Sequence, residues 1–428
     1  MQTPRLMRAY GLVFLATGLV FLVAAVPLNS LLGLPNGGHG LWLGLAGSLM
    51  AVLAYLSFLI ASDPFLDAPW DLILLSKAVS SLLFVVFAVL DRDPRFLLGA
   101  VVDSAIFIHL AMLRAGVHVP YRSRAAARVG SFHEGWFVMA QDRDSGRGFW
   151  ARYGLSRLPG RERAECRAVI FDKSVGAPLV ARWERPAGEA VSGDAVAYRL
   201  GESFLVDGRS VGRDADASWD LTWNASSAGA LRLVSPVLSG TGLLCAGYEA
   251  VEGLIRLSGA VRVGDRSVRF QDAAAGVGHL WGVRGARGWR WARAVFERPG
   301  SSSTVFEILT ATAPLAAGLE IPMTAAYLVH DGLRYPAVGL IAALTARSVL
   351  DGKTWGFRVS CGELSVEGEC RLDEAMAVGF PYDGPSGAKG TCRTSMTGAM
   401  KLRIRGEGTS ADLSTEDRAI VEFAEPAR

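Results

Sequence analysis

Ser131 to Arg157 reads SFHEGWFVMAQDRDSGRGFWARYGLSR, two alternating runs joined through Asp142-Arg143-Asp144-Ser145-Gly146. Successive side chains of a strand point to opposite faces, so Phe132, Glu134, Trp136 and Val138 share one face and His133, Phe137 and Met139 the other. In the second run Phe149, Ala151 and Tyr153 fall together. Besides Phe132–Ala140 and Gly148–Leu155, similar short runs recur at Leu179–Glu184, Ser203–Val206, Ala260–Val263, Ala292–Glu297, Thr304–Thr310, Ala337–Leu344, Trp355–Ser360 and Met400–Arg405. Turn signals about every ten residues, without a long 3.6-residue period, predict an all-β sandwich or barrel. Roughly 300 residues are too many for one small barrel, so two are expected, over 131–255 and 256–428.

Two hairpins have similar sequences, SFLVDGRSVG at Ser203–Gly212 and VRVGDRSVRF at Val261–Phe270. Each places Gly and Asp at the tip, as a tight turn between alternating strands requires. The match fits either a duplicated unit or ordinary hairpin chemistry.

Upstream the character changes. Of 44 basic and 41 acidic residues in the 428, only six of each lie before Val117, although half of the whole chain is hydrophobic. Apolar stretches at Tyr10–Val26, Leu41–Ala61, Leu72–Leu90 and Phe96–Leu113 each approach the ~20 residues that cross a hydrocarbon core. They predict a multi-domain membrane protein, with a four-helix transmembrane domain over 1–115 preceding the β part. A signal peptide accounts for the first stretch alone. Arg5 and Arg8 before the first helix, and Arg114, Arg122, Arg124 and Arg128 after the fourth, place both termini and the β part in the cytoplasm. Arg92 and Arg95 fall on the other side, while the loop Ser62–Trp70 carries acids alone. The segment 116–130, GVHVPYRSRAAARVG, reads as a basic linker lying against anionic headgroups.

Lys77, Asp103 and His109 lie within the spans. If helices three and four reverse near Asp93, Lys77 is level with His109 and Asp103 sits about 9 Å higher. The three form either a proton or ligand site, or a snorkelling lysine and a packing aspartate. In hydropathy this part resembles the four-helix DoxX-type membrane proteins.

Composition excludes several classes. The apolar fraction argues against disorder, 49 glycines without a G-X-Y period exclude collagen, and a net charge of +3 gives no nucleic-acid footprint. Five cysteines without a C-x-x-C pair exclude a disulfide framework or zinc site. Cys361 and Cys370 flank a hairpin and would be free thiols in a cytoplasmic domain. Gly276-Val277-Gly278 lacks the strand-to-helix context of a dinucleotide site, and Asn224-Ala225-Ser226 matters only in an extracellular domain.

A second chemistry-bearing stretch is Phe270–Glu297, FQDAAAGVGHLWGVRGARGWRWARAVFE. His279 and Trp281 are two apart and share a face, as do Trp289 and Trp291. Indoles with one histidine at a barrel mouth would make an apolar pocket with a titratable group.

HEGWFV with DxDSGRGxWxRY, SWDLTW at Ser218–Trp223, and GHLWGVR with GWRWA resemble the AttH-like, lipocalin-like proteins that include carotenoid 1,2-hydratase (hydroxyneurosporene synthase). Tocopherol cyclase and fungal Diels–Alderases are more distant members. The resemblance covers about 130–425 and implies two consecutive lipocalin-like, calycin-type barrels holding a hydrophobic ligand. It implies chemistry by shape and proton placement, with no metal or organic cofactor. In the hydratases a carboxylic acid protonates an alkene, aromatic rings stabilise the cation and water adds. His279 and Trp281 match their His-x-Trp. The strand Ser303–Leu309 departs from their Tyr-x-Asp, and Glu307 is its only acid.

An acid that protonates an alkene must be neutral at working pH, hence buried among apolar groups. Glu134, Glu249, Asp272 and Glu307 qualify, or are solvated loop or hydrogen-bonded rim acids. His279 reads equally as general acid/base or core histidine. Trp136, Tyr153, Tyr248, Trp281, Trp289 and Trp291 are the candidate substrate-binding rings, or simply barrel core. Two functions follow. One is a membrane-anchored hydratase, cyclase or isomerase acting on an apolar isoprenoid, polyene or polyketide. The other is a non-catalytic lipid carrier or sensor. Expected partners are a lipid bilayer and a hydrophobic small molecule, without nucleic acid.

Overall fold

In the computed structural model, the described residues are 3–23, 40–62, 67–90, 92–116, 121, 123, 132–143, 145–158, 161–191, 196–224, 231–233, 246–282, 288–297, 302–314, 320–338, 340–383 and 389–424. The chain divides into a helical unit, Met1–His118 with Pro236–Gly242, and a β unit comprising Val119–Ser235 and Leu243–Arg428.

The uncharged apolar stretches become helices α1 (Thr3–Val23), α2 (Gly40–Ser62), α3 (Asp67–Leu90) and α4 (Arg95–Gly116). Helix α1 packs on α2 and α3 on α4, around Phe14, Leu53, Ile60, Trp70, Ile73 and Leu110. The outward face stays apolar, with Leu12, Leu72, Leu82, Val89 and Leu98 exposed. Such a surface is costly in water and neutral in lipid. Among the described residues two helices are long and apolar enough to cross a membrane, Pro69–Leu90 and Phe96–Arg114, while Leu45–Ala61 is shorter. The first expected span runs beyond the described residues at 24–26, as do most of the first two loops.

The ionisable groups of the helices pair differently from the level expected of them. Lys77 Nζ donates to Asp103 Oδ1 at 2.9 Å, Ser80 donates to Asp103 Oδ2, and His109 Nδ1 is hydrogen-bonded to Tyr10 Oη at 2.6 Å. The lysine's four-carbon stem lets its ammonium climb the helix surface to the carboxylate, past the level of His109. Phe14 covers the ammonium at 5.2 Å.

In the β unit the alternating runs pair into two antiparallel sheets. The first holds β1 (Phe132–Gln141), β2 (Gly148–Leu158), β3 (Arg161–Phe171), β4 (Leu179–Pro186), β5 (Ala190–Val191), β6 (Tyr198–Leu200), β7 (Ser203–Val206), β8 (Arg209–Arg213), β9 (Ala217–Trp223), β10 (Leu231–Arg232), β11 (Ala246–Val263) and β12 (Arg266–Gly282). The second holds β13 (Trp289–Phe296), β14 (Thr304–Pro314), β15 (Glu320–His330), β16 (Leu333–Ala337), β17 (Arg347–Asp351), β18 (Thr354–Cys361), β19 (Leu364–Arg371), β20 (Val378–Asp383), β21 (Lys389–Gly406) and β22 (Thr409–Ala424), with helix α5 (Leu340–Thr345) between β16 and β17.

Each sheet curls until its first strand pairs with its last, β1 with β12 and β13 with β22. Each also leaves its one gap after the fourth strand, between β4 and β5 or β16 and β17. Tyr198 Oη spans the first gap, donating to Gly154 O at 3.2 Å and Glu165 O at 3.1 Å, and α5 packs on β15 and β18 beside the second. These are the near-closed barrels expected, and the repeat between them is one of topology. The two matched hairpins both lie in the first sheet, β7–β8 and β11–β12, with Gly208 and Gly264 supplying the positive φ of the tips (75° and 57°). Their likeness therefore does not relate one sheet to the other.

The residues 255 and 256, read as the boundary between barrels, lie inside β11, and the first sheet continues to Gly282. The run Ala337–Leu344, read as a strand, is largely α5, because Leu, Ile and Ala there follow no alternation that a sheet could use. Within β9, Ala217, Trp219, Leu221 and Trp223 point into the first core while Ser218, Asp220 and Thr222 point away. A second core lies inside the other sheet, around Trp355, Phe357, Met400 and Phe423. A third apolar layer, with Met139, Trp150, Trp291, Phe380 and Met396, joins the outer faces of the two sheets. Cys361 and Cys370 are free and buried.

Candidate functional site

Strand β1 sends its even-numbered side chains into the first barrel, and its register with β12 sets Glu134 beside Trp281 and Trp136 beside His279. On the other side of β12, β11 sets Glu249 beside His279. One row across three strands thus carries an indole, an imidazole and a carboxylate. The imidazole bridges two acids: His279 Nε2 lies 2.8 Å from Glu134 Oε1 and Nδ1 lies 3.0 Å from Glu249 Oε1. His279 and Glu249 are 0% exposed and Glu134 is 3% exposed.

Each of these two contacts needs one proton between its heavy atoms, so the three groups share two protons and carry one net negative charge. Those protons can be arranged as a cationic imidazole between two carboxylates, or as a protonated acid hydrogen-bonded to a neutral imidazole. The imidazole stacks on Trp136, with ring centroids 3.6 Å apart and planes 5° from parallel. Ser123 donates to the outer oxygen of Glu134, Oε2, at 2.5 Å. The result is an imidazole with a carboxyl group on each ring nitrogen inside an apolar barrel.

Aromatic rings wall the triad. Trp281 tilts against His279 at 4.8 Å, and Tyr121 stacks on the far face of Trp136 at 6.1 Å. Trp223 Nε1 donates to Tyr121 Oη at 3.2 Å. Burial and the nearby Glu252 carboxylate push the Tyr121 phenol far above its usual range, so it stays a neutral donor. Register shifts in β11 on both sides of Glu252 break the strict alternation of that strand. The buried Trp136 Nε1 has no acceptor among the described residues.

Tyr121 and Ser123 lie in the segment read as a headgroup-facing linker, yet they are 3% and 4% exposed. The basic residues around them masked that inward pair, and no local sequence signal marks it. The rest of 117–131 lies outside the described residues.

The remaining candidates fall elsewhere. Tyr153 is in the same barrel but is held by Ser210 Oγ at 2.8 Å and Trp219 Nε1 at 3.0 Å. Glu307, expected as a proton donor, sits between the two sheets. It accepts from Tyr248 Oη at 2.7 Å, Trp291 Nε1 at 2.8 Å and Tyr327 Oη at 2.9 Å, and pairs with Arg293 at 3.5 Å. Four donors from both sheets converge on one buried carboxylate and make it a joint between the sheets. Trp291 and Tyr248 belong to that joint, apart from His279. Trp289 donates to Glu422 Oε1 at 2.5 Å and tilts on Tyr382, so it does not join Trp281. Asp272 is exposed at a kink of β12, with φ 53° and its N–H bonded to Ser258 Oγ.

His133, on the outer face of β1, shows the other electrostatic extreme. Burial and Arg152, partly offset by Glu134, lower its pKa from 6.5 to about 4. Between those values the unfolded chain takes up a proton that the fold refuses. The stabilisation is therefore complete above pH 6.5 and is lost as pH falls towards 4, by about 2 kcal/mol once its partial exposure is allowed for. Urea unfolding across this window should show the slope, and His133→Gln should flatten it; an unchanged slope would count against the assignment.

No protein-family model matches the chain, and no curated protein does. Solved structures give likenesses at low identity. An AttH protein of Nitrosomonas europaea is 12% identical with a TM-score of 0.45, covering 72% of this chain and 95% of its own. Kievitone hydratase of Nectria haematococca is 11% identical with a TM-score of 0.42, covering 72% and 91%. CghA in complex with Sch210972 is 14% identical with a TM-score of 0.46, covering 69% and 89%. The DoxX-like resemblance of the helical unit finds no support among them.

Proposed function

We propose that the first barrel is a proton-donating active site that acts on an apolar, unsaturated isoprenoid, polyene or polyketide by acid-assisted hydration, cyclisation or isomerisation. One observation carries the reading: the carboxyl groups of Glu134 and Glu249 meet the two ring nitrogens of His279 in a buried, aromatic-walled interior. A carrier of greasy ligands has no need of such a group, whose desolvation costs stability. Protonation of an alkene requires an undissociated acid, and the pair of carboxyls around one imidazole keeps one available. The rings of Trp136 and Trp281 would stabilise a developing carbocation, and the free indole N–H of Trp136 would orient a substrate oxygen. Water or an internal nucleophile then completes the reaction, and the acid is restored by the proton released.

Helices α3 and α4 hold the chain in a bilayer in this reading, where such substrates dissolve, and all four helices span it with both termini on the cytoplasmic side. A reporter fused after Arg428 is expected to be active in the cytoplasm; activity confined to the other side would overturn the orientation. The substrate class is tested by mass spectrometry of lipid co-purified with the protein, before and after incubation. A polyene, isoprenoid or polyketide that changes mass or retention supports the reading. A ligand that stays unchanged favours a carrier.

A further inference from the structure

The outer face of the first sheet carries an arrangement that the interior site does not use. Arg152 of β2, Arg167 of β3 and Arg182 of β4 stand directly opposite one another across adjacent strands. Like charges in that position repel, and here one of them is buried: the Arg167 side chain is 1% exposed. The buried carboxylate that answers them is Glu165, 2.7 Å from Arg167, 3.4 Å from Arg182 and 3.6 Å from Arg152. Arg182 also pairs with Glu184 nearer the surface, and on the second sheet Glu422 gives its oxygens to Trp289 and Thr394.

Donors are left over. Arg167 Nη1 is buried and has no acceptor among the described residues, and the buried Arg152 Nε faces Glu165 Oε1 at 3.6 Å, beyond hydrogen-bond distance. A buried guanidinium nitrogen without an acceptor costs on the order of 1–3 kcal/mol, so its retention points to an acceptor brought from outside. Rings support the two guanidinium planes, Phe137 at 5.5 Å from Arg152 and Phe380 at 5.0 Å from Arg167. Two neighbours report the positive field. Burial and Arg152 lower the Arg167 pKa to about 10, and His133 beside Arg152 is held neutral.

We propose that Arg152 and Arg167 form a binding site for a small oxyanion, a carboxylate or a phosphate, on the outer face of the first barrel. Planar guanidinium forks suit both groups, and Arg152, 27% exposed, provides the opening to solvent. The site is independent of Glu134 and His279, which face the interior.

The test titrates the full chain in detergent micelles with inorganic phosphate and with hexanoate, against chloride at constant ionic strength. At least one oxyanion is expected to bind saturably and raise the melting temperature. Arg152→Gln, at the rim, should weaken that binding at least tenfold, and Arg167→Met, which keeps the buried volume, should abolish it. Binding of phosphate alone assigns a phosphate-bearing ligand, and binding of hexanoate alone a carboxylic acid. If neither binds beyond chloride, or if Arg152→Gln binds as tightly as the parent chain, the proposal fails. Should Arg167→Met not fold, the Arg152→Gln comparison decides by itself.

Discussion

Glu307→Ala is expected to lose about 3–5 kcal/mol of stability, the usual cost of leaving one partner of a buried ion pair alone. Glu307 is 0% exposed, and its removal strands Arg293, which is 2% exposed, together with the hydroxyls of Tyr248 and Tyr327 and the indole of Trp291. Arg293 keeps its bonds to Gly253 O at 2.6 Å and Ala275 O at 3.2 Å, so its charge stays in place. Because these groups come from both sheets, the loss should loosen the junction and appear as a lower melting temperature with early exposure of tryptophan fluorescence. Glu307→Gln can still accept from one or two donors but leaves the guanidinium without its countercharge, and should recover only part of the loss. A Glu307→Ala protein melting with the parent would show that the junction is held by its apolar layer alone.

The second large effect is on turnover. Glu134→Gln preserves shape and can still meet Ser123 and His279 through its amide, yet it cannot hold or release the shared proton. Loss of a general acid typically costs 10²–10⁴-fold in rate, and a fall in kcat of that order with an unchanged melting temperature is expected. Asp272→Asn, at an exposed kink, should leave turnover as it was. The pair separates the two acids that the strand pattern alone could not rank. Equal losses in both variants would move the chemistry away from the barrel interior.

Much of this arrangement is legible in the residues themselves. Alternation through Phe132–Gln141 places Glu134 and Trp136 on one face, and the two-residue spacing of His279 and Trp281 does the same on β12. What alternation cannot supply is pairing between strands more than a hundred residues apart. The register that sets Trp136 against His279, and Glu249 on the other side, appears only once the sheet is closed. Trp289, Trp291 and Glu307 share the same local chemistry as the true neighbours of His279, but the chain crosses into the second sheet before reaching them. Tyr121 and Ser123 were hidden for a different reason. They lie in a basic segment whose sequence has no period to reveal a buried face.

The helical unit shows the same limit. Hydropathy finds the helices, and counting from the turn puts Lys77 level with His109, but a flexible side chain chooses its partner by charge, and Lys77 reaches Asp103.

The central claim is that a carbon atom of an apolar substrate receives a proton from the Glu134–His279–Glu249 group. It is tested most directly by incubating the protein and its co-purified lipid in D2O and locating deuterium in the product by mass spectrometry. The account predicts one deuteron on carbon per turnover with the parent chain, and almost none over the same time with Glu134→Gln. Product formed without carbon-bound deuterium, deuterium incorporated equally by Glu134→Gln, or lipid recovered unchanged from the parent chain would contradict it.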